Sequence, residues 1–155
     1  MGNLEKIHDN AAGIDIGSEK IFVATDKQPV KSYRTFTNTL QECVKNLQSQ
    51  NIRTVAMEAT GVYWITIYDM LEKVGMDVWL VNPADSKKLP GRKTDVQDCQ
   101  WIQQLHSFGL LRRSFIPKEV FRQLRTYNRL REDHIQMASS HIQHMQKALI
   151  SMNIR

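Results

Sequence analysis

Five short apolar segments, and the way helical segments separate them, restrict the fold of this chain most strongly. The first three, residues 11–16, 20–25 and 30–36, follow one another with only short polar connections. Two more, residues 53–57 and 77–81, each follow a segment with helical periodicity. Strands joined by tight turns pair antiparallel, whereas strands joined through a helix pair in parallel. The pattern therefore predicts an α/β protein with a mixed five-stranded sheet.

Helical spacing of apolar residues predicts the helices that flank this sheet. Thr39 is a candidate N-cap for the first helix, and a second helix is expected over about residues 61–75, with Val74 on its buried face. A third is expected over residues 95–108, with Val96 among its packing residues. Three meandering strands followed by helix, strand, helix, strand and helix is the element order of the ribonuclease-H-like fold.

A long polar helix is predicted for the end of the chain. Pro117 suits the first turn of a helix, and no helix breaker occurs between residues 118 and 151. We therefore expect an N-terminal extension at residues 1–10, an α/β domain over residues 11–116, and a long helical arm over residues 117–155.

Four acidic residues stand at positions that the predicted fold would bring together. Asp15 and Glu58 each close an apolar strand, and Asp95 and Asp98 lie three apart in a helical segment, so both point the same way. In open α/β sheets, functional sites form at the carboxyl ends of the strands. Carboxylates brought together repel one another unless cations neutralise them.

This arrangement predicts a Mg²⁺ site for phosphodiester chemistry, since Mg²⁺ prefers hard oxygen ligands and keeps several waters. Asp15 is expected to be the central ligand between two ions, with Glu58 on one ion and Asp95 or Asp98 on the other. Mn²⁺ is expected to substitute for Mg²⁺. The alternative is that these are four unrelated surface carboxylates among the 16 acidic residues of the chain.

The basic charge of the chain is concentrated at its C-terminal end. Residues 112–155 carry 9 Lys/Arg and 3 Asp/Glu, whereas residues 1–111 carry 12 and 13. Arg122, Arg125 and Arg129 form one stripe on the long helix, which suits phosphate contacts or, alternatively, ion pairs on a solvated face. An interrupted apolar seam on the same helix favours pairing with a second copy.

A basic loop precedes the second acidic pair. It contains Lys87, Lys88, Arg92 and Lys93. We expect that this loop either binds the backbone at the scissile bond or is an ordinary solvated loop.

The remaining composition indicates a cytoplasmic protein without membrane contact. Cys43 and Cys99 are isolated and form no CxxC motif, so two free thiols in a reducing compartment are expected. No apolar stretch approaches the roughly 20 residues that span a bilayer.

Four segments occur in the order found in a known family of enzymes. The segments are GIDIG, MEATGVYW, VWLVNP and GRKTDVQD. In this they resemble the DEDD-type transposases of the insertion sequence 110 and 1111 groups, the bridge-RNA-guided recombinases of bacterial mobile elements. The likeness covers roughly residues 11–117, and the helix that follows resembles the coiled-coil segment of the family.

The resemblance implies a RuvC-like catalytic domain that acts on DNA with Mg²⁺. It matches Asp15, Glu58, Asp95 and Asp98 to the acidic tetrad of the family, and implies DNA, a guide RNA and a dimer or higher homo-oligomer as partners. Cys99 departs from the usual alanine, which a thiol of similar size should tolerate. Family members also carry a second domain with a reactive serine, which nothing here matches, so we expect an N-terminal fragment that is incomplete in strand exchange.

Two other functions are also compatible with the sequence. One is a non-catalytic RNA-binding and dimerisation module, in which the acidic site is idle. The other is a fragment of an actin-like phosphotransferase, because GIDIGSEK also resembles a phosphate-binding turn on a related sheet.

Overall fold

The structure is a computed structural model that describes residues 5–58, 61–86 and 95–154. The chain divides into two compact units, Met1–Phe115 and Ile116–Arg155. The first unit contains the sheet and its helices, and the second contains the long helix. The functions assigned to these parts of the sequence stay predictions.

A mixed five-stranded sheet forms the centre of the first unit, as predicted. The strand order is β3-β2-β1-β4-β5, with β1–β2 and β2–β3 antiparallel and β1–β4 and β4–β5 parallel. The strands are β1 (Ala11–Ile16), β2 (Lys20–Thr25), β3 (Lys31–Arg34), β4 (Thr54–Glu58) and β5 (Asp77–Val81). Together with the flanking helices and the long C-terminal helix, this sheet gives the predicted ribonuclease-H-like α/β fold.

Five helices accompany the sheet in the described part of the chain. They are α1 (Thr37–Ser49), α2 (Trp64–Lys73), α3 (Pro83–Ser86), α4 (Asp95–Ser107) and α5 (Glu119–Ser151). Gly75 and Gly109 follow α2 and α4 with positive φ angles of 81° and 66°, a conformation that favours glycine where a helix ends.

Three local predictions about the helices are wrong. Thr39 is not the N-cap of α1, because the helix already begins at Thr37 and Phe36 occupies the cap position without a side-chain bond. Val74 is the C-cap of α2 and is 41% exposed, since the chain leaves the helix there. Val96 lies in the first turn of α4 and is 40% exposed, so it contributes little to the core.

The sheet is covered by different helices on its two faces. On one face the side-chain amide of Asn46 in α1 donates to the hydroxyl of Tyr33 at 2.9 Å, and Lys31 donates to Oδ1 of the same Asn46 side chain at 3.4 Å. On the other face α4 lies directly against β1 at Gly13, where an added Cβ would overlap the backbone of Cys99 and Gln103. Alternation along the strands thus assigns α1 and α4 to opposite faces.

A cluster of aromatic rings around the buried His106 joins the C-terminal part of α4 to the strands β4 and β5. His106 is fully buried, and its Nε2 lies 2.7 Å from the Thr54 hydroxyl. The ring of His8 stacks on His106 with a centroid separation of 4.7 Å, and Trp79 meets His106 edge-on at 5.1 Å. Burial lowers the pKa of His106 from 6.5 to about 4, because desolvation penalises the charged ring.

The second unit consists mainly of one continuous helix that has no hydrophobic core. The helix α5 contains 33 residues and is therefore about 50 Å long, and none of its residues is buried. Among the described helices, none combines the length and the apolar character that a membrane span requires.

Candidate active site

The C-terminal ends of the neighbouring parallel strands β1 and β4 position the first two acidic residues. Asp15 is the penultimate residue of β1, and Glu58 is the last residue of β4. These strands pair from Ala11 with Thr54 to Ile14 with Met57, so their ends lie side by side. The local sequence explains the strands, because Ile14, Val55 and Met57 are fully buried apolar residues.

The helix α4 brings the second acidic pair to the same place. Asp95 and Asp98 both lie in its first turn, so an i, i+3 spacing directs them to one side. All four acidic residues line one open cavity of about 540 Å³. The remaining lining residues are Ile16, Gly17, Ser18, Glu19, Lys20 and Phe22.

The four carboxylates differ in their exposure to solvent. Glu58 is only 5% exposed, whereas Asp15 and Asp98 are partly buried and Asp95 is exposed. The deepest carboxylate thus comes from a central strand of the sheet and the outermost from the start of the helix. Solvent therefore reaches the cavity from the side on which Asp95 lies.

Asp15 is the electrostatic centre of the cavity. Its pKa is raised from 3.8 to about 6, first because burial penalises the ionised carboxylate and then because Asp95, Glu58 and Asp98 repel its charge. The backbone N–H of Ile16 donates to Asp15 and opposes part of this effect. A cation in the cavity would remove the repulsion, and the group best placed to benefit is Asp15.

The chemistry of these residues fits a divalent metal, although the side chains do not form a closed ligand cage. Within the described residues, no three His, Cys, Asp or Glu side chains come close enough together to hold an ion by themselves. Mg²⁺ does not need such a cage, because it usually binds through one or two carboxylates, several waters and the phosphates of the substrate. An open, oxygen-lined cavity suits this mode of binding.

The contact of α4 with β1 determines where Asp95 and Asp98 lie. A Cβ at Gly13 would stand only 2.8 Å from the Gln103 Cα, so only glycine permits this approach. Gln103 is 5% exposed and donates to the Asp26 carboxylate and, at 3.5 Å, to the Ala11 carbonyl. Cys99 is fully buried in the same contact, so its thiol is accommodated there, as expected.

The predicted basic residues fall into two groups. The basic loop lies outside the described residues, so its predicted contact with the scissile backbone stays a prediction; its residues are Lys87, Lys88, Arg92 and Lys93. Arg125 and Arg129 are exposed on α5, and Arg122 on the same helix is partly buried.

The residues of the β1–β2 hairpin that line the cavity were not predicted from the sequence. Lys20 and Phe22 line it because β2 pairs antiparallel with β1, which places Phe22 directly opposite Asp15. The short connection at Gly17 and Ser18 predicted the hairpin. Counting residues across that turn would have placed Phe22 beside Asp15.

Comparison with known proteins identifies the family. The family model for DEDD transposases of the insertion sequence 110 type, described as a transposase, matches residues 12–154. In a comparison with curated proteins, none matches the chain. The family match extends over most of the chain and includes both the sheet with its four acidic residues and the long helix. The chain therefore belongs to the DEDD transposase family of the insertion sequence 110 type.

Proposed function

We propose that this transposase-family chain is a metal-dependent catalytic domain that acts on DNA phosphodiesters. The proposal is carried by one observation, namely that Asp15, Glu58, Asp95 and Asp98 come from three separate elements and line a single cavity. Unrelated surface carboxylates would have no reason to share a cavity at a cost in electrostatic repulsion. Because the family is one of transposases, DNA is the expected substrate.

The four carboxylates have different roles in this proposal. Asp15, which the other three repel, would be the central ligand. The buried Glu58 would hold one ion, and Asp95 or Asp98 of α4 would hold the other. When bound, two Mg²⁺ ions activate the attacking oxygen and stabilise the leaving oxygen of a phosphoryl transfer. Mn²⁺ is accepted as a substitute, because it too prefers oxygen ligands.

The raised pKa of Asp15 should also make metal binding depend on pH. With a pKa of about 6, Asp15 is a neutral acid at lower pH and a carboxylate above neutrality. A metal ligand has to be deprotonated, so metal affinity should increase as the pH rises through this value.

Titration calorimetry with Mn²⁺ tests the site directly. The wild-type chain should bind Mn²⁺ and Asp15→Asn should not, because an uncharged amide replaces the central ligand. Glu42→Gln is the matched control, since it removes one carboxylate from the exposed surface of α1. Equal Mn²⁺ binding by the wild type and Asp15→Asn would refute the assignment.

We also propose that α5 supports nucleic-acid binding and assembly, with a guide RNA as the nucleic acid and a second copy of the chain as the helix partner. A helix of 33 residues with no buried residue gains little stability in isolation, and its exposed apolar residues favour a partner helix. Arg122, Arg125 and Arg129 would contact phosphates. This proposal also covers the alternative in which the chain acts as an RNA-binding and dimerisation module without catalysis.

Two measurements test the role of α5. Sedimentation should give a mass of at least two chains, and Leu130→Glu, which places a charge at an exposed apolar position, should reduce it. RNA gel shifts of Arg125→Gln and Arg129→Gln across salt concentrations should show weaker salt dependence than the wild type. A monomeric wild type, or unchanged salt dependence, would contradict the corresponding half of the proposal.

Two further parts of the proposal concern the basic loop and the compartment. Lys87, Lys88, Arg92 and Lys93 precede the helix that carries Asp95, so we assign them contacts with the DNA backbone near the site. Both cysteines are free and buried in the structure, which supports a reducing compartment such as the cytoplasm.

A further inference from the structure

The turn between β1 and β2 holds a lysine at the edge of the carboxylate cavity. Lys20 is the first residue of β2, is exposed, and lines the cavity together with the four acidic residues. The Gly17 N–H donates to the Lys20 carbonyl at 2.9 Å, and the Thr35 N–H donates to the Glu19 carbonyl at 3.1 Å. The backbone that carries Lys20 is therefore fixed to β1 on one side and to the end of β3 on the other.

A second cation lies directly opposite Lys20. In the antiparallel pairing of β2 with β3, Lys20 is the partner of Arg34, which is also exposed. Side chains of directly opposed residues stand on the same face of a sheet with Cβ atoms about 5 Å apart. The two positive charges are thus neighbours.

These cations share the face of the sheet that carries Asp15. Asp15 pairs with Phe22, and Phe22 is two residues from Lys20 on the same strand, so all three point to one face. It is also the face of Gly13, against which α4 packs. The cationic pair therefore lies on the β3 side of the carboxylates, toward that edge of the sheet.

As a directly opposed pair, Lys20 and Arg34 repel one another. Like charges directly opposite one another in a sheet are destabilising. Neither side chain forms an ion pair with another residue that the structure describes, although acidic side chains line the adjoining cavity. An external anion bound between the two would relieve the repulsion.

We propose that Lys20 and Arg34 bind phosphate groups of the DNA strand that enters the carboxylate cavity. This inference rests on the proposed function, because the acidic cavity repels a polyanion unless metal ions and nearby cations compensate. Arg34 offers a planar guanidinium suited to bidentate phosphate binding, and Lys20 offers a point charge. Contacts of this kind position a strand without reading its sequence.

Binding of a short DNA duplex at several salt concentrations, with Mg²⁺ held constant, tests the inference. Lys20→Gln and Arg34→Gln should each reduce the slope of log affinity against log salt by about 0.9, and the double variant by about twice that. Between about 50 and 200 mM salt, each single variant should then lose affinity roughly 3.5-fold less than the wild type. Lys45→Gln is the control, because it removes an exposed lysine from α1, on the opposite face of the sheet.

The possible outcomes separate this inference from the proposed function. Salt slopes of Lys20→Gln and Arg34→Gln that equal the slope of Lys45→Gln would overturn the inference. A larger change with an RNA duplex than with DNA would overturn the assignment to DNA. The double variant should still bind Mn²⁺, whereas Asp15→Asn should lose Mn²⁺ and keep the contribution of the two cations to the salt slope. Loss of Mn²⁺ binding in the double variant would show that the pair supports the metal site instead.

Discussion

Replacing Asp15 by asparagine should stabilise the metal-free protein while it abolishes metal binding. The difference between the ordinary pKa of 3.8 and the value of about 6 in the folded protein corresponds to about 3 kcal/mol of unfavourable free energy at neutral pH. Asp15 is partly exposed, so solvent screening reduces this figure, and we expect a gain of about 1–2 kcal/mol for Asp15→Asn at pH 8.

The pH dependence of this gain follows from the direction of the pKa shift. Because the pKa is higher in the folded state, the folded protein binds more protons than the unfolded chain between about pH 6 and 3.8. The unfavourable contribution of Asp15 is therefore complete above about pH 7 and disappears below pH 3.8. The advantage of Asp15→Asn should shrink over the same range.

Urea unfolding in the presence of EDTA, followed by circular dichroism at several pH values, measures this effect. Glu42→Gln, with one exposed carboxylate removed from α1, should show no comparable gain. Added Mg²⁺ at about 100 times its dissociation constant should stabilise the wild type by about 2.7 kcal/mol and leave Asp15→Asn unchanged. If Asp15→Asn were less stable than the wild type at pH 8 without metal, the reasoning about repulsion in the cavity would be refuted.

Three further predictions concern residues outside the carboxylate set. Gly13→Ala should destabilise the protein by at least about 1–3 kcal/mol in urea unfolding, because the new methyl group overlaps the backbone of α4; unchanged stability would show that α4 can move away. Because the pKa of His106 is lowered to about 4, the protein should lose up to about 3 kcal/mol of stability as the pH falls from 6.5 to 4, since the unfolded chain takes up the proton first. His106→Gln should remove this part of the pH dependence of stability. Cys43 and Cys99 are buried with pKa values raised to about 12, so a thiol reagent at pH 8 should modify them only after denaturation, and rapid labelling of the native protein would contradict their burial.

Much of the fold was predictable because it depends on patterns that are local in the chain. The five strands were recognised from short apolar runs, and β1, β2 and β5 have the bounds that were predicted. The ends of helices were harder, as Thr39 shows, because an N-cap depends on which hydrogen bonds form and Phe36 takes that position without one. Val96 was misplaced for a related reason, since helical periodicity alone does not say where the packed surface of a helix begins.

By itself, the sequence determined the order of strands and helices and which four carboxylates would end strands or begin a helix. Both depend on apolar spacing and on residues close together in the chain. The tertiary structure decided that Asp15, Glu58, Asp95 and Asp98 line one cavity, that Asp15 carries the raised pKa, and that Lys20 stands opposite Arg34 beside them. Repulsion and desolvation depend on distances through space, and these distances exist only once the parallel strands, the hairpin and α4 have packed against one another.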